Sequence, residues 1–459
     1  MTAATARFSE FKVIARHAGT VLVGQLAVMA FGVADTLIAG RYSDAALAAL
    51  SVGSALYISV YVGLIGIIQA LLPIWSEMLG AKAHTALGRS MRQSLYLCAC
   101  IAVPGMAALL LPGPLLQWAQ VPQAMQGEVE RYLAVLAFAF VPSLLFRLYS
   151  TFNQAIGKPL LVTWLQVGAL AIKVPLSIWL VRGGAGLAPM GAVGCAWATL
   201  VVTALLLLFA VAMLRYQSIY RPFALWRRME RPDWAQIGQF ARLGIPGGAA
   251  YLVEVTSFTL IALFVARLGT TASGGHQIAS SVAAVLYMVP LSVAIACSAR
   301  VSFWTGAGHP QQAKSAIWAG FMLVVTVSIA FLAIILVANR YVASLYSSNP
   351  EIIALGSSLL IWVAFYHVAD AVQTLCAFLL RCYRITLVPL ALYGVLLWAL
   401  GLYGGYQLTY AGWSGWPATQ SASSFWLAST AAIWLVAVAF SGLLWVAVRA
   451  SVQGRATAR

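Results

Sequence analysis

Four ionisable side chains sit inside apolar stretches of this sequence: Asp35 in FGVADTLIAG, Lys173 in AIKVPLSIWLVRG, Glu254 in GIPGGAAYLVEVTSF and Asp370 in WVAFYHVADAVQTL. If those stretches cross a bilayer, each charge costs about 2.5–3.5 kcal/mol, and four cost on the order of 10 kcal/mol unless paired or protonated. That rivals the whole stability of an ordinary domain. Residues so expensive point to a service they perform, and carboxylates at membrane depth are suited to holding a proton or a small cation.

The neighbours sharpen this reading at Asp370. Tyr366 lies four residues earlier and His367 three earlier, so a helix puts a phenol and an imidazole beside the carboxylate. The same arrangement also suits a tyrosine that simply anchors a buried acid. Glu254 follows Pro246, Gly244, Gly247 and Gly248, which make the first half of its helix bendable. Asp35 and Lys173 reach similar depth, Lys173 standing about 14 residues into its span at 1.5 Å per residue, and the two can pair. His276 and Gln277, in GGHQIASS, open another apolar span and fit either capping and packing or a place along a pathway.

The elements that must position these groups follow from composition. Of 459 residues, 62% are hydrophobic and 8% charged, against about 25% charged in soluble domains. Apolar runs of membrane-spanning length recur along the chain. They predict an all-α polytopic membrane protein with twelve transmembrane helices, near 16–40, 45–79, 93–119, 129–150, 159–181, 190–214, 236–266, 272–304, 314–338, 352–380, 385–410 and 424–448.

The net charge of +16 invites a nucleic-acid reading, but its distribution opposes one. With a cytoplasmic N-terminus, 21 Lys and Arg fall inside, among them Arg7, Lys12, Arg228, Arg455 and Arg459, and 5 fall outside. That asymmetry is the positive-inside pattern, with both termini cytoplasmic. The basic N-terminal start precedes no small-residue cleavage site and is read as part of the first span. The six cysteines form no C-x-x-C and read as small hydrophobes.

The stretch 215–235, with Pro222, Pro232 and several arginines, reads as a cytoplasmic linker between an N-lobe of helices 1–6 (residues 1–214) and a C-lobe of helices 7–12 (residues 236–459). An offset of 226 residues aligns Arg16 with Arg242, Arg41 with Arg267, Gly80-Ala81 with Gly306-Ala307, Phe152 with Phe378 and Lys158 with Arg384. An even number of helices per half makes the repeats parallel, so the two six-helix lobes are expected to be related by a pseudo-two-fold axis along the membrane normal. Such a pair predicts a midplane cavity between lobes that opens alternately to each side.

In order and spacing, VADTLIAGRYSDAALAALSVG, GAKAHTALGRSMRQS, FNQAIGKPLLV, GIPGGAAYLVEVTSFTLIALFVARLG, GGHQIASSVAAVLYMVPLSVAIACSARVSFWTGAGHPQQA and AFYHVADAVQTLCAFLLRCYR resemble the multidrug and toxic compound extrusion (MATE) transporters, most of all the NorM branch. The resemblance covers nearly the whole chain. It implies an exporter that exchanges a cation for a drug. It also implies that Glu254 and Asp370 hold the coupling cation with Tyr366 beside them, that Asp35 is the first-lobe aspartate, and that Gln277 is a polar residue of the second lobe. Two departures stand out. Where the family's fifth span carries two asparagines, this chain has Lys173 and Ser177; an ammonium near Asp35 favours its ionised form and opposes protonation, which counts against proton coupling through the first lobe and shifts the weight to Glu254 and Asp370. Thr20 stands where the repeat has Pro246.

The expected function is therefore a Na⁺- or H⁺-coupled antiporter exporting organic cations or drugs across the bacterial-type inner membrane by alternating access. Glu254 and Asp370 are its candidate Na⁺ ligands, with Asp35 and Tyr366 also in coupling. Gln277, His276, His367 and Lys173 are candidates for lining the substrate cavity. Some of the 53 aromatic residues (16 Trp, 18 Tyr, 19 Phe) suit flat cations through cation–π contact. No cofactor is expected beyond the coupling ion, and no nucleic acid; the partners are small organic cations and membrane lipids, and the chain is expected to act as a monomer. A flippase for lipid-linked oligosaccharide is the alternative, but it calls for more midplane cations than Lys173 alone. A channel would lack saturable, gradient-dependent efflux. An intramembrane enzyme is disfavoured because no H-E-x-x-H occurs and His367, the one deep histidine with an acid nearby, has no zinc-ligand spacing; the absence of G-x-x-x-x-G-K-[ST] gives ATP no direct part.

Overall fold

A computed structural model describes residues 3–118, 122–184, 186–412, 415 and 417–453, and the side chains of all of these except 3–7, 115, 118 and 124. The Arg7 side chain and the tail residues Arg455 and Arg459, counted above among the inside charges, lie outside the described set. Among the described residues, twelve helices are long and apolar enough to cross a membrane: α1 (Phe8–Tyr42), α2 (Asp44–Gly80), α3 (His84–Leu110), α4 (Met125–Ala155), α5 (Pro159–Arg182), α6 (Ala192–Tyr216), α7 (Trp234–Ala266), α8 (Thr270–Gly306), α9 (Pro310–Ser344), α10 (Pro350–Cys382), α11 (Leu387–Ala411) and α12 (Ala422–Val452).

Local chemistry sets their ends. Ser43 accepts a hydrogen bond from the Ala46 amide at 3.1 Å and so caps α2. Asn349 caps α10 by accepting from the Glu351 amide at 2.9 Å, and Pro350 follows as its first residue. Ser421 does the same for α12 through the Ser423 amide at 3.2 Å. The third helix corrects its expected span of 93–119. It starts earlier, at His84, and ends at Leu110, because Pro112 withholds an amide proton and disfavours helical backbone at Leu111; a separate short helix, Gly113–Trp118, follows. The eleventh helix widens into π-turns over Leu396–Tyr403 and Gln407–Ala411.

The chain forms two compact units, Thr20–Gly248 and Met1–Gly19 with Ala249–Arg459. In the first, α4 is the central helix, packing on α2, α3 and α6, while α5 packs on α6. In the second, α10 is central, against α8, α9 and α12. The two central helices are the fourth of each group of six, as a repeat requires. The opening segments of α1 and α7 belong to the unit built mainly from the other half of the sequence, and particular contacts explain why.

The opening of α7 lies against α2 with almost no room. A Cβ at Gly248 would fall 2.2 Å from the Gly63 carbonyl oxygen, and one at Gly244 would fall 2.8 Å from the Ile67 carbonyl oxygen. These glycines, four apart, allow close backbone approach of the small-residue kind that holds membrane helices together. Just before α7, the connection is fastened to α3. Arg92 donates to the Glu230 carboxylate and, through Nη1, to the Ala224 carbonyl at 2.8 Å. Gln93 takes the Asp233 amide at 2.8 Å and gives its own amide to the Arg231 carbonyl at 3.0 Å, and Arg89 pairs with Asp233 at 3.3 Å.

The opening of α1 is held in the other unit by one buried carboxylate. Glu10 accepts from Arg300 Nε at 2.9 Å and Nη2 at 2.6 Å, and from the Trp304 indole at 3.0 Å. A bidentate Arg–carboxylate pair fixes both distance and orientation.

Candidate functional site

In the unit built on α10, four helices converge on two carboxylates. Helix α7 carries Glu254, which is half-buried, and α10 carries Asp370, 4% exposed. The two interact electrostatically, and both also act on Tyr287 of α8, Tyr366 of α10 and Tyr393 of α11. Gln373, one turn beyond Asp370, donates its amide to Asp370 Oδ1 at 3.1 Å and also to Thr374 Oγ1 at 3.1 Å. Edge-on contacts of the Tyr366 ring with Phe258, at 6.1 Å, and Trp426, at 6.0 Å, hold that phenol in place.

The donors in this cluster are not all used. The Tyr366 hydroxyl is buried with no hydrogen-bond partner among the described residues, and the Tyr393 hydroxyl is directed at the Glu254 carboxylate. A buried polar group without a partner is costly, and two neighbouring carboxylates repel unless a positive charge lies between them or a proton is taken up. Carboxylate and phenol oxygens are hard donors that suit a proton or an alkali cation, and the carboxylates equally suit the positive centre of an organic cation. This arrangement brings Glu254, Asp370 and Tyr366 together.

Asp35 belongs to the other unit and has its own partner. Lys173 Nζ lies 2.9 Å from Asp35 Oδ2, with the lysine 1% and the aspartate 8% exposed. Ser177, four residues along α5 and on the same face, donates to Asp35 Oδ1 at 3.1 Å. The lysine also donates to Thr199 Oγ1 of α6 at 2.7 Å. Both carboxylate oxygens are thus occupied, one by a charge and one by a hydroxyl, and the Phe31 ring lies 5.8 Å from the ammonium. The group balances its own charge within the chain.

The remaining candidates have other neighbours. His276 is buried, its Nδ1 accepting from the Trp426 indole at 3.2 Å and its Nε2 lying 3.2 Å from the Ser280 hydroxyl. Both ring nitrogens are engaged, which is how a packed histidine is satisfied. Gln277 is exposed and donates to the Ser281 hydroxyl at 3.4 Å. His367 turns its ring edge-on to Phe331 of α9 at 5.8 Å, and its Nε2 has no partner among the described residues.

Sequence reasoning missed Tyr287, Tyr393, Gln373 and Thr199. Gln373 was within reach of it, since three residues from an intramembrane acid is a helix-face position. Tyr287, Tyr393 and Thr199 stand on other helices, and no spacing along the chain announces them.

The MatE family model matches residues 21–179 and 246–406. The chain is 36% identical to the "Probable multidrug resistance protein NorM" of Aromatoleum aromaticum, over 83% of this chain and 82% of that protein. It is 30% identical to the "Multidrug resistance protein PmpM" of Pseudomonas aeruginosa, over 83% and 80%. The fold of the eukaryotic MATE transporter AtDTX14 superposes with a TM-score of 0.87 over 98% of this chain and 99% of that one, at 20% identity. The matched segments fall one in each half of the sequence, as the internal repeat anticipates, and hold Asp35 and Lys173 in the first and Glu254, Tyr366 and Asp370 in the second. With twelve helices of membrane-crossing length, the chain is a multi-pass membrane protein, and it belongs to the MatE family, whose members are transporters rather than enzymes.

Proposed function

We propose that this protein is a multidrug efflux antiporter of the inner membrane, with both termini cytoplasmic, which exports organic cations in exchange for Na⁺ or H⁺ by alternating access. One observation supports the coupling: Glu254 and Asp370 act on each other, with the Tyr393 hydroxyl directed at Glu254 and the buried Tyr366 hydroxyl left without a partner among the described residues. From the inner side, an organic cation neutralises the carboxylates and the cluster's aromatic rings receive its flat face. From the outer side, Na⁺ or a proton takes the same oxygens and the organic cation leaves. The two ligands cannot both be satisfied by one pair of charges, so their differential affinity for the two states drives the exchange.

Asp35 plays no such part in this reading, because Lys173 already supplies its cation. The pairing also speaks against the flippase alternative, since the one lysine deep in a helix is neutralised and adds no positive charge to a cavity. The test is ethidium efflux from proteoliposomes with Na⁺ and pH gradients imposed separately. The reading predicts saturable efflux that follows at least one of the gradients and is lost in Glu254→Gln and Asp370→Asn. Non-saturable flux that ignores both gradients would overturn it in favour of a channel.

A further inference from the structure

At the end of α6 the chain turns back through the 3-10 segment Ser218–Phe223 and encloses an open cavity of about 380 Å³. Three arginines line it, Arg215, Arg221 and Arg227, together with Leu214, Tyr220 and Trp226, and no carboxylate does. The acids nearest in sequence are engaged elsewhere, Glu230 with Arg92 and Asp233 with Arg89. Among the described residues none of the three arginines forms an ion pair. Arg215 instead lies 5.8 Å from the Trp226 ring.

The walls are fixed. The Trp226 indole donates to the Leu214 carbonyl at 2.9 Å, and the Tyr220 hydroxyl points away from the cavity, donating to Asn153 Oδ1 at 2.7 Å and lying 3.2 Å from the Tyr149 hydroxyl. Between Arg221 and Arg227 the chain passes through Ala224 with φ of 49°, a left-handed conformation that non-glycine residues adopt at a cost. The Arg92 hydrogen bond to the Ala224 carbonyl holds that turn. The strain keeps two guanidinium-bearing residues on the rim of one cavity.

We propose that this cavity binds the phosphate headgroup of an anionic membrane phospholipid. Guanidinium groups match phosphate oxygens in bidentate geometry, and three without carboxylate partners favour an anion strongly. A soluble phosphate shares that chemistry. The lipid is favoured by position, because the cavity begins at Leu214 and Arg215, in the last turn of a membrane-crossing helix, with Tyr216 and Trp226 exposed beside it. Aromatic and basic side chains at that level are the usual neighbours of headgroups.

Native mass spectrometry of the full-length protein in detergent tests this, by measuring retention of added phosphatidylglycerol against phosphatidylcholine. The wild type retains phosphatidylglycerol preferentially. R215Q/R221Q/R227Q lowers that retention about fivefold per arginine removed, on the order of 100-fold in all, whereas R215K/R221K/R227K keeps the charge but loses the bidentate fit and lowers it several-fold. K12Q/K158Q/K314Q removes the same charge from other exposed positions and leaves retention near wild type. The melting temperature in lipid-free detergent confirms that each variant is folded, and the lysine variant reports on the site should the glutamine variant fail to fold. Equal losses in the Arg→Gln triple and the Lys→Gln control, or no preference between the two lipids, would overturn the proposal. Displacement of bound phosphatidylglycerol by millimolar inorganic phosphate would overturn the lipid as occupant in favour of a soluble anion.

Discussion

Lys173 and Asp35 form an ion pair at 2.9 Å in the interior of one helical unit, each with a hydroxyl as its second partner. Two charges drawn from water into such a place hold each other there, and removing either leaves the other stranded. The relationship divides the ionisable groups of the membrane spans into two kinds. Asp35 carries its own counter-charge, whereas among the described residues neither Glu254 nor Asp370 forms an ion pair.

The first prediction concerns that pair. Lys173→Asn leaves a buried carboxylate uncompensated and lowers stability by about 3–5 kcal/mol. Asp35→Asn/Lys173→Asn removes both charges and restores most of the loss. Melting temperatures in detergent measure this. Per molecule of folded protein, Lys173→Asn and the double variant both keep substantial gradient-driven ethidium efflux, since neither touches the second carboxylate cluster.

Removing the phenol hydroxyls weakens ion binding without abolishing transport. Tyr366→Phe and Tyr393→Phe each delete one oxygen beside the carboxylates, worth about 0.5–1.5 kcal/mol if it contacts the ion. The half-saturating concentration of the coupling ion should rise about two- to twelvefold, with the maximal efflux rate largely kept. Titrating the Na⁺ or H⁺ dependence of efflux reads this out.

The docking of the connection onto α3 has a pH signature. Glu230 is pulled below its ordinary value of 4.5 to about 2, first by the hydrogen bond from Arg92 and then by the charges of Arg92 and Arg89. A carboxylate whose folded value is depressed adds stability that is fully present above its unfolded value and is lost as pH falls toward the folded one. The contribution therefore holds above about pH 5 and disappears between about pH 4.5 and 2. Glu230→Gln should cost about 1 kcal/mol at neutral pH, the scale of a partly exposed pair. Its melting temperature should also decline less steeply than the wild type's across the acid window.

Close packing of α7 on α2 is checked at Gly248. A side chain there meets the Gly63 carbonyl oxygen, which is backbone and cannot turn aside. Gly248→Val should destabilise by about 1–3 kcal/mol through overpacking. The same substitution at Gly238, where a Cβ meets nothing within 4 Å, serves as the control and should move the melting temperature little.

Much of this architecture was readable in advance, because a bilayer imposes one period and one length on everything that crosses it. Most of the twelve spans fall close to where the apolar runs place them; the first and third start earlier than expected, and the third ends at Leu110 because of Pro112, whose effect on Leu111 hydropathy alone does not register. Depth along a helix is also legible, which is why Asp35 and Lys173 could be matched by counting residues. Convergence of different helices is not. Nothing in the sequence says that Tyr287 and Tyr393 surround the carboxylates of α7 and α10, nor that Trp426 closes off His276. The glycines at 244 and 248 were legible as backbone freedom, yet in the folded chain they serve close contact with α2, which requires the partner helix to be known.

The central claim is that an organic cation and the coupling ion compete for Glu254 and Asp370. Its most direct test is ethidium binding to the purified protein by fluorescence anisotropy, titrated against Na⁺ at fixed pH and against pH at fixed Na⁺. The account predicts that raising one of these ions displaces ethidium from the wild type, and that Glu254→Gln/Asp370→Asn binds ethidium weakly and responds to neither ion. Wild-type affinity in that double variant, with displacement by Na⁺ or H⁺ intact, would contradict it.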